Sequence, residues 1–470
     1  MNMRGLKTVS ILLGLLVPLL ASSSAQAQEW LKDRRYAEGA GYQSGDFILH
    51  PGIGISAGYD SNYLLRTNTS GAANGCPNLC PEASAGMNIT PSLSISTVTP
   101  GQRTEGQPGG APRDFNFTGG LAASYHEDFG TLTPEQRNVA LNADARLDVL
   151  PGRAVGGAFY ATYARTIQPS VLGNPDLAFN RDDVGVGADL ALVPGMGTLD
   201  WHLGYQFHDT IFEETAGSAF DNITNEINTR GRWKFRPRTA LVYDATFRFG
   251  TYVNGGTGTI TQLHDSTPIR TRIGLTGLIT DRLSLLAMVG WGASFFTPGT
   301  DPHVQQYDSV IGTVQLSYAL GHSASSLDQP LSLMQRAVSS VAIGYNRDFQ
   351  SSLFSDYYGS DRGYVNFSFF FAGRALLSVQ GGVGAIEYPT LYINGTTTAG
   401  TPTPTVSPFT DIRLDGTIYG EYRFVDWLGL NATVRYTSNL SNEVLNLGSG
   451  GLYAMQWQRL EAYLGVRWVM

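Results

Sequence analysis

The segment RNVALNADARLDVLPGR sets a period of two. Val139, Leu141, Ala143, Ala145, Leu147 and Val149 alternate with Asn138, Asn142, Asp144, Arg146 and Asp148, and a Pro-Gly turn follows. A strand projects successive side chains to opposite faces, so this stretch is a ribbon with one apolar and one polar face. The pattern recurs in TLDWHLGYQF (Leu199, Trp201, Leu203, Tyr205, Phe207) and LVYDATFRF (Leu241, Tyr243, Ala245, Phe247, Phe249). LSLLAMVGWGASF (Leu283, Leu285, Val289, Trp291, Phe295) and VNFSFFFAGR (Val365, Phe367, Phe369, Phe371) repeat it. About ten residues of alternation and then a turn, repeated along the chain, predict about 18 strands. The first is expected near Gly52, the fourteenth near Gly363 and the last near Ala454. The segment near Ala154 alternates most weakly, and without it and a partner the count falls to 16.

The connections alternate as well. LPGR, PGMG, RPRT, TDR, AGR and FVDW are short; residues 251–267, 297–307, 387–409 and 437–452 are long and rich in Thr, Asn, Pro and Gly. Short turns at one end of a barrel and long loops at the other is the pattern of barrels in outer membranes, with the short turns periplasmic and the long loops extracellular. The connections 98–114 and 321–336 depart from it, being long where short ones are expected.

The two ends of the chain fit this reading. Arg4 and Lys7 precede an apolar run from Val9 to Leu20 and then Ala25-Gln26-Ala27, so residues 1–27 are expected to be a secretory signal peptide. Residues 28–46 are expected to form a short periplasmic segment, and 47–470 the barrel. The sequence closes on EAYLGVRWVM, in which Leu460, Ala462, Leu464, Val466, Trp468 and Met470 share one parity and Arg459, Glu461 and Arg467 the other. Such a strand is expected to face lipid with its apolar side and to pair with the first strand, so that no edge stays open. Tyr463, Gly465, Trp468 and Met470 are similar to the C-terminal signature by which barrels are recognised for assembly, although Met stands where Phe is usual.

Composition narrows the class. Charged residues make up 15% of the chain, against about 25% in soluble domains, and Gly accounts for 56 of 470 residues. Low charge, much Gly, Tyr and Phe, export and the lack of long apolar runs together predict an all-β, transmembrane, antiparallel up-and-down barrel. Loss of Arg4 and Lys7 with the signal takes the formal charge from −8 to −10, which argues against a nucleic-acid partner. Cys76 and Cys80, in CPNLC within a polar loop, are expected to form a loop-stapling disulfide.

Catalytic chemistry finds little support. His202 and His208 share the polar parity of Asp200, a set that could perform acid–base work, but no G-x-S-x-G nucleophile accompanies them, and lining a wet lumen is the simpler role. His264-Asp265 and the acidic pair Glu127-Asp128 of the HED at 126–128 are expected at loops or the rim. The sequence has no P-loop, HExxH or CxxC motif, and GGTGT at 255–259 leads into no helix that could cradle phosphate. No enzymatic activity and no cofactor are expected.

The lumen parity carries a more informative pattern. Arg230, Arg232 and Lys234 on one strand, Arg248 on the next, and Arg270 and Arg272 on the third form a basic wall. Asp144, Asp148, Asp411, Asp415 and Glu421 are expected as pore-lining acids elsewhere on the circumference, interrupted by Arg413 and Arg423. Charged walls set the selectivity of water-filled pores, although any wet lumen carries charge. Tyr160, Tyr419 and Tyr463 share the inward parity and could meet sugar faces, although Tyr is also common on strands for structural reasons.

HPGIGISAGYDSNYLLR (50–66) and IGYNRDFQSSLFSDYYGSDRGYVNFSFFFAGR (343–374) resemble stretches of the outer-membrane β-barrel porins associated with bacterial exopolysaccharide synthesis and export clusters. The resemblance implies an outer-membrane channel for a secreted polysaccharide and carries no catalytic residues. Expected partners are outer-membrane lipid and the barrel-assembly machinery and, through the resemblance, the exported polysaccharide and periplasmic export components. A general diffusion porin for small solutes, or a structural barrel without an open pore, are the alternatives.

Overall fold

The computed structural model describes residues 41–67, 81–97, 114–131, 137–167, 180–213, 217–254, 263–298, 304–320, 339–352, 355–371, 374–392, 405–425, 427–446 and 452–470. Eighteen long strands build one closed sheet. They are β1 Phe47–Asp60, β2 Ser84–Thr97, β3 Phe115–Asp128, β4 Asn138–Val149, β5 Val155–Thr166 and β6 Arg181–Leu192. Then follow β7 Leu199–Phe212, β8 Asn222–Arg236, β9 Thr239–Tyr252, β10 Ser266–Leu278, β11 Leu283–Phe296 and β12 Tyr307–Ala319. The last six are β13 Ser340–Ser351, β14 Tyr357–Phe371, β15 Ala375–Tyr388, β16 Phe409–Val425, β17 Leu428–Leu440 and β18 Trp457–Val469. Each pairs antiparallel with its neighbour in the chain. β18 returns to β1 in a register from Gly52 opposite Val469 to Asp60 opposite Glu461. The seam is extended by the Met470 amide, which donates to the Pro51 carbonyl at 3.0 Å. The expected 18-stranded barrel is therefore observed, and the weakly alternating segment near Ala154 is a full strand.

The two faces separate cleanly. Every barrel strand turns a large apolar side chain outward into the open. Phe159, Val289, Val310, Ile343 and Leu464 are 54–60% exposed, far more than a barrel in water would tolerate across its whole circumference. Aromatic side chains gather at both rims of this belt. Trp233, Phe235, Tyr318, Phe369, Tyr422 and Phe424 lie toward the short turns, and Tyr59, Tyr125, Trp291, Phe295 and Tyr345 toward the long loops. These are the girdles of a membrane barrel, whose aromatic rings sit at the lipid–water boundary.

Strand lengths run from 12 residues in β4 to 17 in β16, whereas crossing hydrocarbon needs only about 9–11. The excess explains where the sequence-based boundaries fall short. β14 begins at Tyr357, not near Gly363, because YYGSDR has no apolar alternation, yet its ladder continues with Gly359 opposite Glu387. β1 likewise starts at Phe47 instead of Gly52. Before it, Tyr42–Ser44 folds back as a short hairpin strand, Tyr42 opposite Leu49, so the end of the expected N-terminal segment joins the sheet. Both unusual long connections join strands at the short-turn end; apart from Asp114, residues 98–114 and 321–336 lie outside the described residues, as do Cys76 and Cys80.

Candidate functional site

The inward face of the barrel is polar, and its charges are arranged in pairs. All six cations of the basic wall occupy lumen positions on three consecutive strands, β8 to β10. Acids on the same parity interleave with them. Arg230 meets Asp189 at 3.2 Å, Arg232 meets Asp200 at 3.1 Å and Arg248 meets Glu226 at 2.7 Å. Arg272 meets Asp244 at 2.7 Å, and Arg270 reaches Asp348 at 2.9 Å. Lys234 lies at the short-turn end beside Gly197. The wall is thus a lattice of alternating sign instead of a uniformly positive surface.

His202 belongs to this lattice. Its Nδ1 lies 3.1 Å from Asp189 and its Nε2 2.9 Å from Asp200. The first contact ties β7 to β6 and the second lies within β7, so carboxylates engage both ring nitrogens. His208 lies 3.5 Å from Asp183, which also meets Arg181 at 3.0 Å and accepts from the Thr210 hydroxyl at 2.8 Å.

On the acidic side, three carboxylates likewise meet arginines. Arg362 holds Asp415 at 2.6 Å, and Arg146 holds Asp148 at 2.8 Å. Glu421, only 3% exposed, meets Arg423 at 2.8 Å and Arg467 at 3.2 Å and accepts from the Tyr419 hydroxyl. Asp411 is fully buried and accepts from Asn439 Nδ2 at 2.8 Å. Asp144 lies against Gly120 on β3. In the closing strand, Tyr463 and Gly465 point inward and Trp468 outward, opposite Leu428 and Ile53. A side chain at Gly465 would meet the Ile55 carbonyl at 3.0 Å, which gives that glycine a packing reason.

Two loop ends fold into the lumen from the long-loop side. At the seam, Asp60 is 1% exposed and grips Arg459 at 2.5 Å, with the Arg459 guanidinium over the Tyr63 ring. Tyr63 stacks on His126, while Asn62 donates to the Arg66 and Gln458 carbonyls. Burial holds the Tyr63 hydroxyl above the usual tyrosine range. In the HED at 126–128, His126 contacts Asn88 and Asp128 takes the Ser84 hydroxyl, so both belong to the lumen, whereas Glu127 pairs outward with Arg137.

The second inward fold is larger. β13 pairs with β12 only as far as Arg347 opposite Gly312, yet it continues with β14 to Ser351 opposite Tyr357. The end of this hairpin has left the wall and leans into the barrel. Once it does so, the side of β13 that faced lipid is laid on the inner wall. Phe349, outward by parity, is 1% exposed and stacks on Tyr307 with ring centroids 4.3 Å apart, beside Ile311. It approaches β11 so closely that a Cβ at Gly292 would lie 2.9 Å from its ring. Arg270 clamps the fold from above, 4.1 Å from the Phe349 ring centroid and 2.6 Å from its carbonyl oxygen. Along the wall Arg270 and Asp348 are three strands apart, roughly 14 Å, so their contact requires the lean. Asp356 completes the attachment, pairing with His264 at 2.7 Å and taking the Gln305 amide at 3.0 Å. His264 is thus a loop residue as expected, but a buried one.

Asp183, Asp189, Glu226 and Asp244 were within reach of the sequence, since they share the parity of the cations they neutralise. Asp348 and Phe349 were not. Nothing in an alternating pattern marks where a strand leaves its neighbour.

No family model matches the chain, and no curated protein is similar to it. Among solved structures it is similar to the FrpB iron transporter from Neisseria meningitidis, with a TM-score of 0.44 and 9% identity over 94% of this chain and 84% of that one. It is also similar to OccK11 (OpdR) of Pseudomonas aeruginosa, at a TM-score of 0.42 and 11% identity over 90% and 96% of the two chains. A mutant of the ferric enterobactin receptor PfeA of Pseudomonas aeruginosa has a TM-score of 0.42 and 11% identity, over 91% and 81%.

Proposed function

We propose that this chain is an outer-membrane channel that passes a hydrophilic, weakly charged polymer, an exported polysaccharide. The observation that carries the channel reading is the division of the barrel into an apolar, aromatic-rimmed exterior and a lumen of paired charges. A barrel of this strand number leaves an aqueous interior unless something plugs it. Short turns then face the periplasm and long loops the outside. The polysaccharide reading rests on the two stretches that resemble export-associated porins, and both include the loop ends folded into the lumen. A lumen whose charges are already paired offers donors and acceptors side by side without a strong net field, which suits sugar hydroxyls. Lipid, the assembly machinery and periplasmic export components are the partners this reading entails.

The inward hairpin of β13 and β14 favours a second reading, a diffusion porin for small solutes, because it narrows the path. Deleting the gene and measuring surface glycan, alongside conductance of the purified protein in planar bilayers, separates the possibilities. Loss of surface glycan together with ion conductance is the expected result. Conductance with unaltered glycan makes the small-solute porin the better account, and absence of conductance makes the barrel a scaffold.

Membrane placement has its own test. Leu464, 54% exposed in the middle of the closing strand, is expected to tolerate no cation. Leu464→Arg should destabilise the barrel by about 2–4 kcal/mol and deplete the heat-modifiable, folded form in outer-membrane fractions on gel electrophoresis. Wild-type amounts of folded protein would refute lipid contact at that position.

A further inference from the structure

We propose that a pocket between the inward hairpin and the wall of β6 to β10 is a binding subsite for uncharged sugar units. The proposal deepens the glycan-channel reading and rests on it. The pocket has a volume of about 540 Å³, within the range of roughly 300–1,000 Å³ typical of small-ligand sites. Gln206, Glu226 and Arg248 line it from the wall, and Gln350, Ser351 and Ser352 from the hairpin. Phe212, Phe220 and Tyr252 supply an apolar side, Phe212 and Phe220 packing with ring centroids 5.6 Å apart.

The chemistry of this lining selects the ligand. Its charges are already matched: Arg248 donates to Glu226 from both Nε, at 3.0 Å, and a terminal nitrogen, at 2.7 Å, while Arg181 holds Asp183 at 3.0 Å. An anion would meet carboxylates and a cation would meet guanidinium groups, each already paired, so neither gains a free counter-charge. A sugar hydroxyl donates and accepts at once, and it fits where amides, hydroxyls and a carboxylate–guanidinium pair converge. The C–H faces of the ring can lie on the aromatic side. The hairpin contributes the opposing wall, so the site exists only because β13 leaves the barrel.

The test uses the full-length protein in planar bilayers, with maltohexaose as the neutral probe and tetragalacturonate as the acidic one. Maltohexaose is expected to interrupt the ion current. Removing both halves of one pair in Glu226→Ala/Arg248→Ala leaves no orphan charge and should weaken the block about tenfold, the effect of losing hydrogen bonds to charged groups. Arg238→Ala/Asp281→Ala, at the short-turn end, should block like wild type, and tetragalacturonate should bind at least tenfold more weakly than maltohexaose. An undiminished block in the first double variant, or equal affinity for the acidic probe, overturns the proposal. Should that variant fail to fold, Gln350→Ala reads the same site from the hairpin. If the protein conducts no ions, the channel reading fails, and titration calorimetry of the detergent-solubilised protein then decides the subsite separately. Heat on adding maltohexaose that the variant loses supports it, and no heat with wild type overturns it.

Discussion

Phe349→Ala is expected to raise single-channel conductance while the barrel stays assembled. Phe349 is 1% exposed, stacked on Tyr307 and covered by the Arg270 guanidinium. Truncating so buried a ring costs about 3–5 kcal/mol in a well-packed site. Here that loss falls on one attachment. The end of the hairpin no longer pairs with β12, and its ladder from Asp348 opposite Ser360 to Ser351 opposite Tyr357 joins β13 only to β14. Without the ring, the hairpin keeps the Arg270–Asp348 pair, the contacts of Asp356 with His264 and Gln305, and the Tyr357 ring against Tyr307 and Phe296, all of which water reaches more readily once the Phe349 cover is gone. The closed ladder of 18 strands is untouched, so the folded form should persist on gels at wild-type levels. Single-channel recording then shows a wider and noisier pore. A folded variant with wild-type conductance would mean that the hairpin does not narrow the conducting path.

This hairpin also marks the boundary of what the sequence discloses. Alternation located all 18 strands, since each must keep one apolar face toward hydrocarbon over its whole crossing. It also set Arg230, Arg232, Lys234, Arg248, Arg270 and Arg272 on one parity, and these positions face inward in the structure. Two things escaped it. Parity names the face of a residue but not its partner, so the basic wall was legible and its neutralisation by Asp189, Asp200, Glu226, Asp244 and Asp348 was overlooked. Parity also assumes that a strand stays in the wall. Phe349 obeys the alternation of β13 and is nevertheless buried inside the barrel, because the strand has bent inward before reaching it. The glycine at position 292 that admits its ring reads, in sequence, like any other glycine of a Gly-rich barrel.

The pairing of the lumen charges leads to the second large effect. Six cations on adjacent strands would make a pore that prefers anions if they stood alone. Because the wall arginines are matched, wild-type protein in planar bilayers should instead show a reversal potential near zero under a salt gradient. Arg232→Glu/Arg270→Glu should move it strongly toward cations. Each substitution changes the local charge by two and sets a new carboxylate beside an existing one, Asp200 or Asp348. Arg232 and Arg270 are only 15% and 13% exposed. Breaking a fully buried pair costs about 3–5 kcal/mol, and the cost here is smaller because the lumen admits water. The induced selectivity should be greatest in dilute salt and fade toward 1 M, where charges are screened over ~3 Å instead of ~8 Å at physiological ionic strength. A wild-type pore that already prefers anions would mean that the carboxylates do not offset the arginines and that the basic wall acts as a field after all. Selectivity indifferent to the double reversal would mean that ions do not pass along this wall.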